Sequence, residues 1–353
     1  MNESLEMSRR KTGIWIGAMA LFLAALFYFS RDSSNSGLQQ SNTIVRRSFK
    51  AMATTITVAA YSHQAEQAFK IVAEIFHDVD QRMSEWKPRS PIGTLNRVAG
   101  SGRVKLPDDL YQLVQRGVEL GKMTEGAFDV SWAALWGVWD FRAEKPRVPS
   151  AESIAEKVAL IDYRKIVLDE KGKFVSLSQK GMKIGLGGIA KGYALDIARE
   201  RLGKAGIKDF LISGGGQVCA GGQRNGRNWR VGIRDPRGPR DDYLAKLDVS
   251  DRTVSTSGDY ERFFLIDGIR YHHIIDPRTG YPSKGLRSVS VIAADATLAD
   301  ALSTAAMILG KEKSLKLAGS LPGVELIMVD REGKLSTTPG VGADLQIVHS
   351  PRP

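Results

Sequence analysis

Cysteine is almost absent from this chain. A single Cys219 among 353 residues excludes a disulfide framework and any cysteine-built metal site. Basic residues outnumber acidic ones by 50 to 39, for a net charge of +11, yet nowhere in the globular part do Lys and Arg cluster with interleaved aromatics. A nucleic-acid partner is therefore not expected. A solvated basic surface, or an anionic small-molecule partner, fits that charge better. Internal repeats are also lacking. What remains is an ordinary globular composition, 42% hydrophobic and 25% charged, long enough for one large or two modest domains.

Long apolar runs are scarce too, with one near the N-terminus. Arg9, Arg10 and Lys11 precede an uncharged stretch from Gly13 to Phe29, and Arg31-Asp32 closes it. Its length lies within the ~17–25 residues of a membrane-spanning helix. Basic residues ahead of it predict a cytoplasmic N-terminus, with the rest of the chain on the other side of an inner (cytoplasmic) membrane. A cleaved signal peptide is the competing reading, with Ser34-Asn35-Ser36 the nearest small-residue site. No cysteine follows the run, which excludes a lipoprotein. The expected organisation is an anchor or signal segment at 1–30, a polar linker at 31–43 and a globular domain at 44–349.

Period-two alternation predicts a strand over Thr54–Tyr61, and apolar spacing predicts a helix from Gln64 to Met83. Met83 to Ser90 reads as a polar loop carrying Trp86, either a packing anchor or a flat platform for an aromatic ligand. A second amphipathic helix runs from Leu106 to Met123. A hairpin is expected at Lys165–Asp169 and Phe174–Leu177, and strands at Phe210–Ser213, Trp229–Arg234, Tyr243–Val249 and Val324–Val329. Helices are expected at Lys191–Leu202 and Leu298–Leu309. Hairpins with interspersed helices imply an α+β fold, mostly antiparallel sheets flanked by helices.

Chemistry concentrates between Val254 and Gly310. Ser255 to Arg262 reads as a Ser/Thr/Gly turn, and His273 leads from a strand into the rigid turn Asp276-Pro277-Arg278-Thr279-Gly280. Asp300 and Thr304, four residues apart, share one helix face and offer two oxygens to a hard cation such as Mg²⁺. The same pair also reads as a helix start, with Thr297 or Asp300 as the cap. His273, beside two isoleucines, reads equally as a satisfied core histidine. Upstream, the bend from Ile184 to Gly192 feeds a helix N-terminus, a ready anion site to which Lys191 adds charge. Its spacing is neither the Walker pattern nor the dinucleotide fingerprint.

Seven motifs then fall in order: Met52-Ala53-Thr54, Met83-Ser84-x-Trp86-x-Pro88-x-Ser90, Gly126-Ala127-Phe128-Asp129, Leu186-Gly187-Gly188-Ile189-Ala190-Lys191-Gly192-Tyr193, Ser257-Gly258-Asp259-Tyr260, His273-Ile274-Ile275-Asp276-Pro277-x-Thr279-Gly280 and Ala299-Asp300-Ala301-x-Ser303-Thr304. The ordered set resembles the ApbE family of FAD:protein FMN transferases and spans nearly all of the chain after the apolar run.

That resemblance implies a Mg²⁺-dependent transferase. It splits FAD as substrate, attaches FMN through a phosphoester bond to a Thr or Ser of a partner protein and releases AMP. It implies Asp300, Thr304 and the Gly188 carbonyl as Mg²⁺ ligands, and His273 as the base. Met52, Trp86, Ala127, Phe128, Asp129, Lys191, Ser257, Ile274 and Ser303 would form the FAD site. With the topology above, the acceptor is expected to be an extracytoplasmic (periplasmic) or membrane redox subunit. Two departures stand out. Gly185 occupies a position that is usually acidic in the family, and Ala53 one that is usually glycine. An FAD pyrophosphatase and a non-catalytic flavin-binding assembly protein are the alternatives.

Overall fold

Strand alternation and turn stereochemistry build the first hairpin. Strands β1 (Ile44–Ala51) and β2 (Thr54–Tyr61) pair antiparallel down to Ala51 opposite Thr54, so Met52 and Ala53 alone make the turn. Both take left-handed backbone, with φ of 50° and 58°. A two-residue primed turn requires this, at about 1–2 kcal/mol for each non-glycine residue. The structure, a computed structural model, describes residues 43–352. The apolar run at Gly13 to Phe29 and its tether lie outside the described residues, among which no helix is long and apolar enough to cross a membrane.

Helix α1 (Ala65–Arg82) buries Ala68, Val72, Ile75, Phe76 and Val79 along one face, as the spacing predicts. Each large side chain so covered contributes ~1.5–3 kcal/mol. Helix α2 (Pro91–Arg97) begins at Ser90, whose Oγ accepts the Gly93 N–H at 2.9 Å. Strand β3 (Arg103–Lys105) and helices α3 (Asp108–Met123) and α4 (Ala151–Val158) follow. The expected hairpin is β4 (Ile166–Asp169) with β5 (Phe174–Leu177), and β3 joins it on the other side of β5. Helix α5 (Ala190–Lys204) leads into β6 (Phe210–Gly214) and β7 (Gln217–Gly221), then β8 (Trp229–Arg234) and β9 (Tyr243–Val249). Next come β10 (Thr253–Gly258), β11 (Phe263–Ile266), β12 (Ile269–His272) and β13 (Leu286–Ala293). Helices α6 (Ala296–Leu309) and α7 (Lys311–Gly319) precede β14 (Glu325–Asp330), β15 (Leu335–Thr337) and β16 (Leu345–Ile347).

Eight of these strands form one antiparallel sheet in the order β1-β2-β6-β7-β10-β13-β14-β15. One face is covered by α1, α5 and α6, the other by the small sheet β16-β9-β8. With both faces covered, every residue of β13 is buried: Val289 and Val291 join the helix-side core, and Ile292 the other. Cys219 is buried in β7, and burial pushes its thiol pKa up to about 11.

One sequence expectation needs correcting. Ser255 to Gly258 is no turn but part of β10, a mid-sheet strand between β7 and β13. Its small hydroxyl residues mimic turn composition, but their side chains face helix and neighbouring strand rather than water. Ser257 Oγ lies 2.8 Å and Ser255 Oγ 3.3 Å from Ser303 Oγ on α6, and Thr256 Oγ1 lies 2.7 Å from Ser290 Oγ on β13.

Candidate functional site

Two carboxylates anchor the start of α6. Asp295 accepts the Leu298 N–H at 2.7 Å. Asp196 reaches across from α5 to accept the N–H groups of Ala296 (2.9 Å) and Thr297 (2.8 Å) and the Thr297 hydroxyl (2.7 Å). The cap is therefore Asp295, and neither Thr297 nor Asp300 serves as one. This leaves the Asp300 carboxylate free for other work.

Its surroundings are unusual for a buried anion. Asp300 Oδ2 accepts the Gly192 N–H at 3.1 Å, and Lys191 Nζ lies 3.8 Å away, beyond hydrogen-bond range. Burial raises the carboxyl pKa, and Lys191 opposes that rise. Nearby Gln217 is itself buried, with neither amide atom hydrogen-bonded in good geometry. Thr304, one turn on, is half-buried, and its hydroxyl forms no hydrogen bond among the described residues. An under-compensated carboxylate with a free hydroxyl above it is an all-oxygen donor pair, the chemistry a hard divalent cation fits.

Glycine at 192 makes the Asp300 contact possible. A Cβ there would fall inside the van der Waals shell of the Ala296 carbonyl oxygen, so only glycine lets α5 approach α6 this closely. The preceding bend is held from several sides. Asn96 donates to the Ile184 carbonyl (2.9 Å) and accepts its N–H (2.8 Å), and Trp132 Nε1 donates to the Gly185 carbonyl at 3.0 Å. Lys191 Nζ donates back to the Gly187 carbonyl at 3.1 Å. The Phe128 ring lies 2.9 Å from where a Gly188 Cβ would stand.

The two adjacent histidines divide into opposite roles. His272 is buried, with Nε2 2.9 Å from the Ser283 carbonyl and Nδ1 accepting the Ile274 N–H at 3.3 Å. That pattern assigns its proton to Nε2 and holds it neutral, with its pKa lowered first by burial. His273 is the exposed one. Desolvation by the surrounding protein, then the charges of Arg262, His272 and Lys191, push its pKa down to about 4. Sequence left core histidine and active histidine open for His273; the core role belongs to His272.

The remaining expected residues are spread unevenly. A Cβ on Gly215 would stand 3.2 Å from the Lys191 side chain and 3.3 Å from that of Thr54, which sets the turn carrying Met52 near Lys191. Ile274, Ala127 and Phe128 are buried. Asp129 turns inward: its carboxylate accepts from Ser131 N–H (2.7 Å), Ser131 Oγ (2.6 Å) and Tyr163 N–H (2.9 Å). Trp86 is 66% exposed and stacks on Trp136 at 4.0 Å and 14°. Ser303 is tied to Ser257, as above. Sequence reasoning passed over Glu85, Asn96 and Gln217. Of these only Glu85 left a signal, an acid inside a quoted motif.

The match to known proteins agrees with this geometry. The ApbE family model matches residues 52–328. An FAD:protein FMN transferase of Treponema pallidum is 34% identical over 307 residues, covering 82% of this chain and 85% of the relative. The crystal structure of the ApbE protein of Thermotoga maritima superposes with a TM-score of 0.77 at 34% identity, covering 84% of this chain and 98% of that one. The apo flavinyl transferase ApbE of Pseudomonas stutzeri gives 0.73 at 32%, covering 84% and 94%. With the motifs in order and the fold shared, this chain belongs to the ApbE family.

Proposed function

We propose that this protein transfers FMN from FAD to a Thr or Ser hydroxyl of a partner protein. The observation that carries the reading is the place of Lys191. Its ammonium lies 3.8 Å from Asp300 and close enough to His273 for its charge to depress that imidazole. One cation thus bears on both the buried carboxylate and the exposed base, as a reaction at a diphosphate requires.

His273 takes the proton of the acceptor hydroxyl. The freed oxygen attacks the FMN phosphorus, a P–O bond forms to the acceptor, and the P–O bond to AMP breaks. A hydroxyl is a poor nucleophile without such a base. With its pKa lowered, His273 is unprotonated at neutral pH and ready to accept. Lys191 and the N-terminus of α5 hold the diphosphate. Asp300, Thr304 and the Gly188 carbonyl would hold Mg²⁺, which when bound neutralises charge on the transferring phosphoryl group. Trp86 and Met52 offer flat and polarisable contacts to the flavin. The basic residues ahead of Gly13 to Phe29 support a membrane-anchored enzyme acting on extracytoplasmic or membrane redox subunits.

Incubation with FAD, Mg²⁺ and a Thr-containing acceptor tests this. Flavin that stays on the acceptor after denaturation is expected; free FMN and AMP alone would make the protein a pyrophosphatase. His273→Ala should cut transfer by about 10²–10⁴-fold. The acidic limb of the wild-type pH–rate profile should lie below the ordinary imidazole value of 6.5, and a limb at or above that value would count against His273 as base.

A further inference from the structure

The loop between α1 and α2 sends one acidic side chain into the Gly-rich bend. Glu85 is 8% exposed, with Oε1 3.1 Å from where a Gly185 Cβ would stand and 3.4 Å from the same point at Gly187. It adjoins the backbone N–H groups of Leu186 and Gly187 and feels the charge of Lys191. Burial raises its carboxyl pKa, and those N–H groups with Lys191 oppose the rise. Burial of a carboxylate is costly even with such partners, so its location calls for a role.

We infer that Glu85 is a positioning residue for the transfer reaction, holding the bend from Gly185 to Gly187 so that Lys191 stays aimed at Asp300. The inference rests on the flavin-transfer reading above. The bend's carbonyl at Gly187 accepts from Lys191 Nζ, so a shift at 186–187 moves the ammonium directly. Neutral contacts already fix the bend's start, through Asn96 at Ile184 and Trp132 at Gly185. Glu85 supplies the charge at its middle, opposite Lys191. Glycine at 185 is part of the device, because a side chain there would compete with Glu85 for the same space. A carboxylate brought in from position 185 should therefore substitute for Glu85, since its oxygens would lie about where Oε1 now lies.

The test uses the full-length protein with Glu85→Gln, Glu85→Ala and Glu85→Ala/Gly185→Asp. FAD affinity is read by tryptophan fluorescence quenching, turnover by AMP release and flavin transfer, and folding by thermal melting. Glu85→Ala should lose about 10–100-fold in kcat/KM, the range expected when a catalytic group is displaced by an ångström or less, with FAD binding weakened in parallel. Glu85→Gln, which keeps the shape without the charge, should fall between Glu85→Ala and wild type. The double variant should regain most of the loss. Wild-type kinetics and FAD affinity in Glu85→Ala would overturn the inference, as would a folded double variant no better than Glu85→Ala. If the double variant does not fold, Glu85→Ala and Glu85→Gln decide alone. AMP release and FAD binding keep the inference testable even if no flavin reaches the acceptor and the transferase reading itself fails.

Discussion

The start of α6 and the two expected flavin contacts, Met52 and Trp86, are built on opposite principles. Around Asp300, two carboxylates cap the helix, a glycine admits a neighbouring backbone and almost every side chain is buried. Around Met52 and Trp86, the turn is strained in two consecutive residues, and a tryptophan stands largely in solvent against another ring. The difference teaches where geometry has to be held. Phosphoryl chemistry depends on charges placed to within about half an ångström, whereas a flat apolar ring needs only a surface to lie on.

The contrast can be broken most severely at its rigid end. Asp300→Asn should lower turnover by about 10²–10³-fold, the scale seen when one preorganised electrostatic contact is lost. The apoprotein's melting temperature should hold or rise, because an under-compensated buried charge has gone, and any Mg²⁺-induced rise in melting temperature should vanish. A clear drop in apoprotein stability would mean that the carboxylate is structural. Gly192→Ala should destabilise by about 1–3 kcal/mol, as overpacking does, measured by denaturant unfolding. Activity should fall with it, since the clash separates Lys191 from Asp300.

Changes at the adaptable end should be gentler. Trp86→Ala should raise the KM for FAD by roughly 5–10-fold with little change in kcat, consistent with about 1 kcal/mol for an aromatic contact. An unchanged KM would leave the Trp86–Trp136 stack a packing anchor. The smallest effect belongs to Ala53→Gly, which relieves a left-handed alanine (φ 58°). It should stabilise by up to about 1 kcal/mol, less the entropy glycine adds to the unfolded chain, visible as a small rise in melting temperature.

Helices with long apolar stripes, α1 and α3, could be placed from sequence to within a residue or two of each end, because burial of one face dominates their spacing. The hairpin β4–β5 was legible for its turn residues Glu170 to Lys173. Strand β10 was not, since Ser, Thr and Gly carry no apolar alternation and its place between β7 and β13 is set by partners far along the chain. Short α2 went unread although Ser90-Pro91 carries a helix-start signal. The placing of Asp300 and Thr304 one turn apart on α6 was legible from their spacing. The bond from Tyr163 to Asp129, the split between His272 and His273 and the reach of Glu85 depend on tertiary neighbours that no local pattern encodes.

Cys219 opens a practical route to the partner protein. Buried in β7 with its thiol held protonated at physiological pH, the lone thiol of the sequence should resist alkylating reagents while the fold is intact. A cysteine introduced at exposed Ile269, on the hairpin that leads to His273, would then take a fluorophore or cross-linker at one defined spot without any background thiol being removed. The same chain that attaches flavin can thereby carry its own reporter of where the acceptor lands.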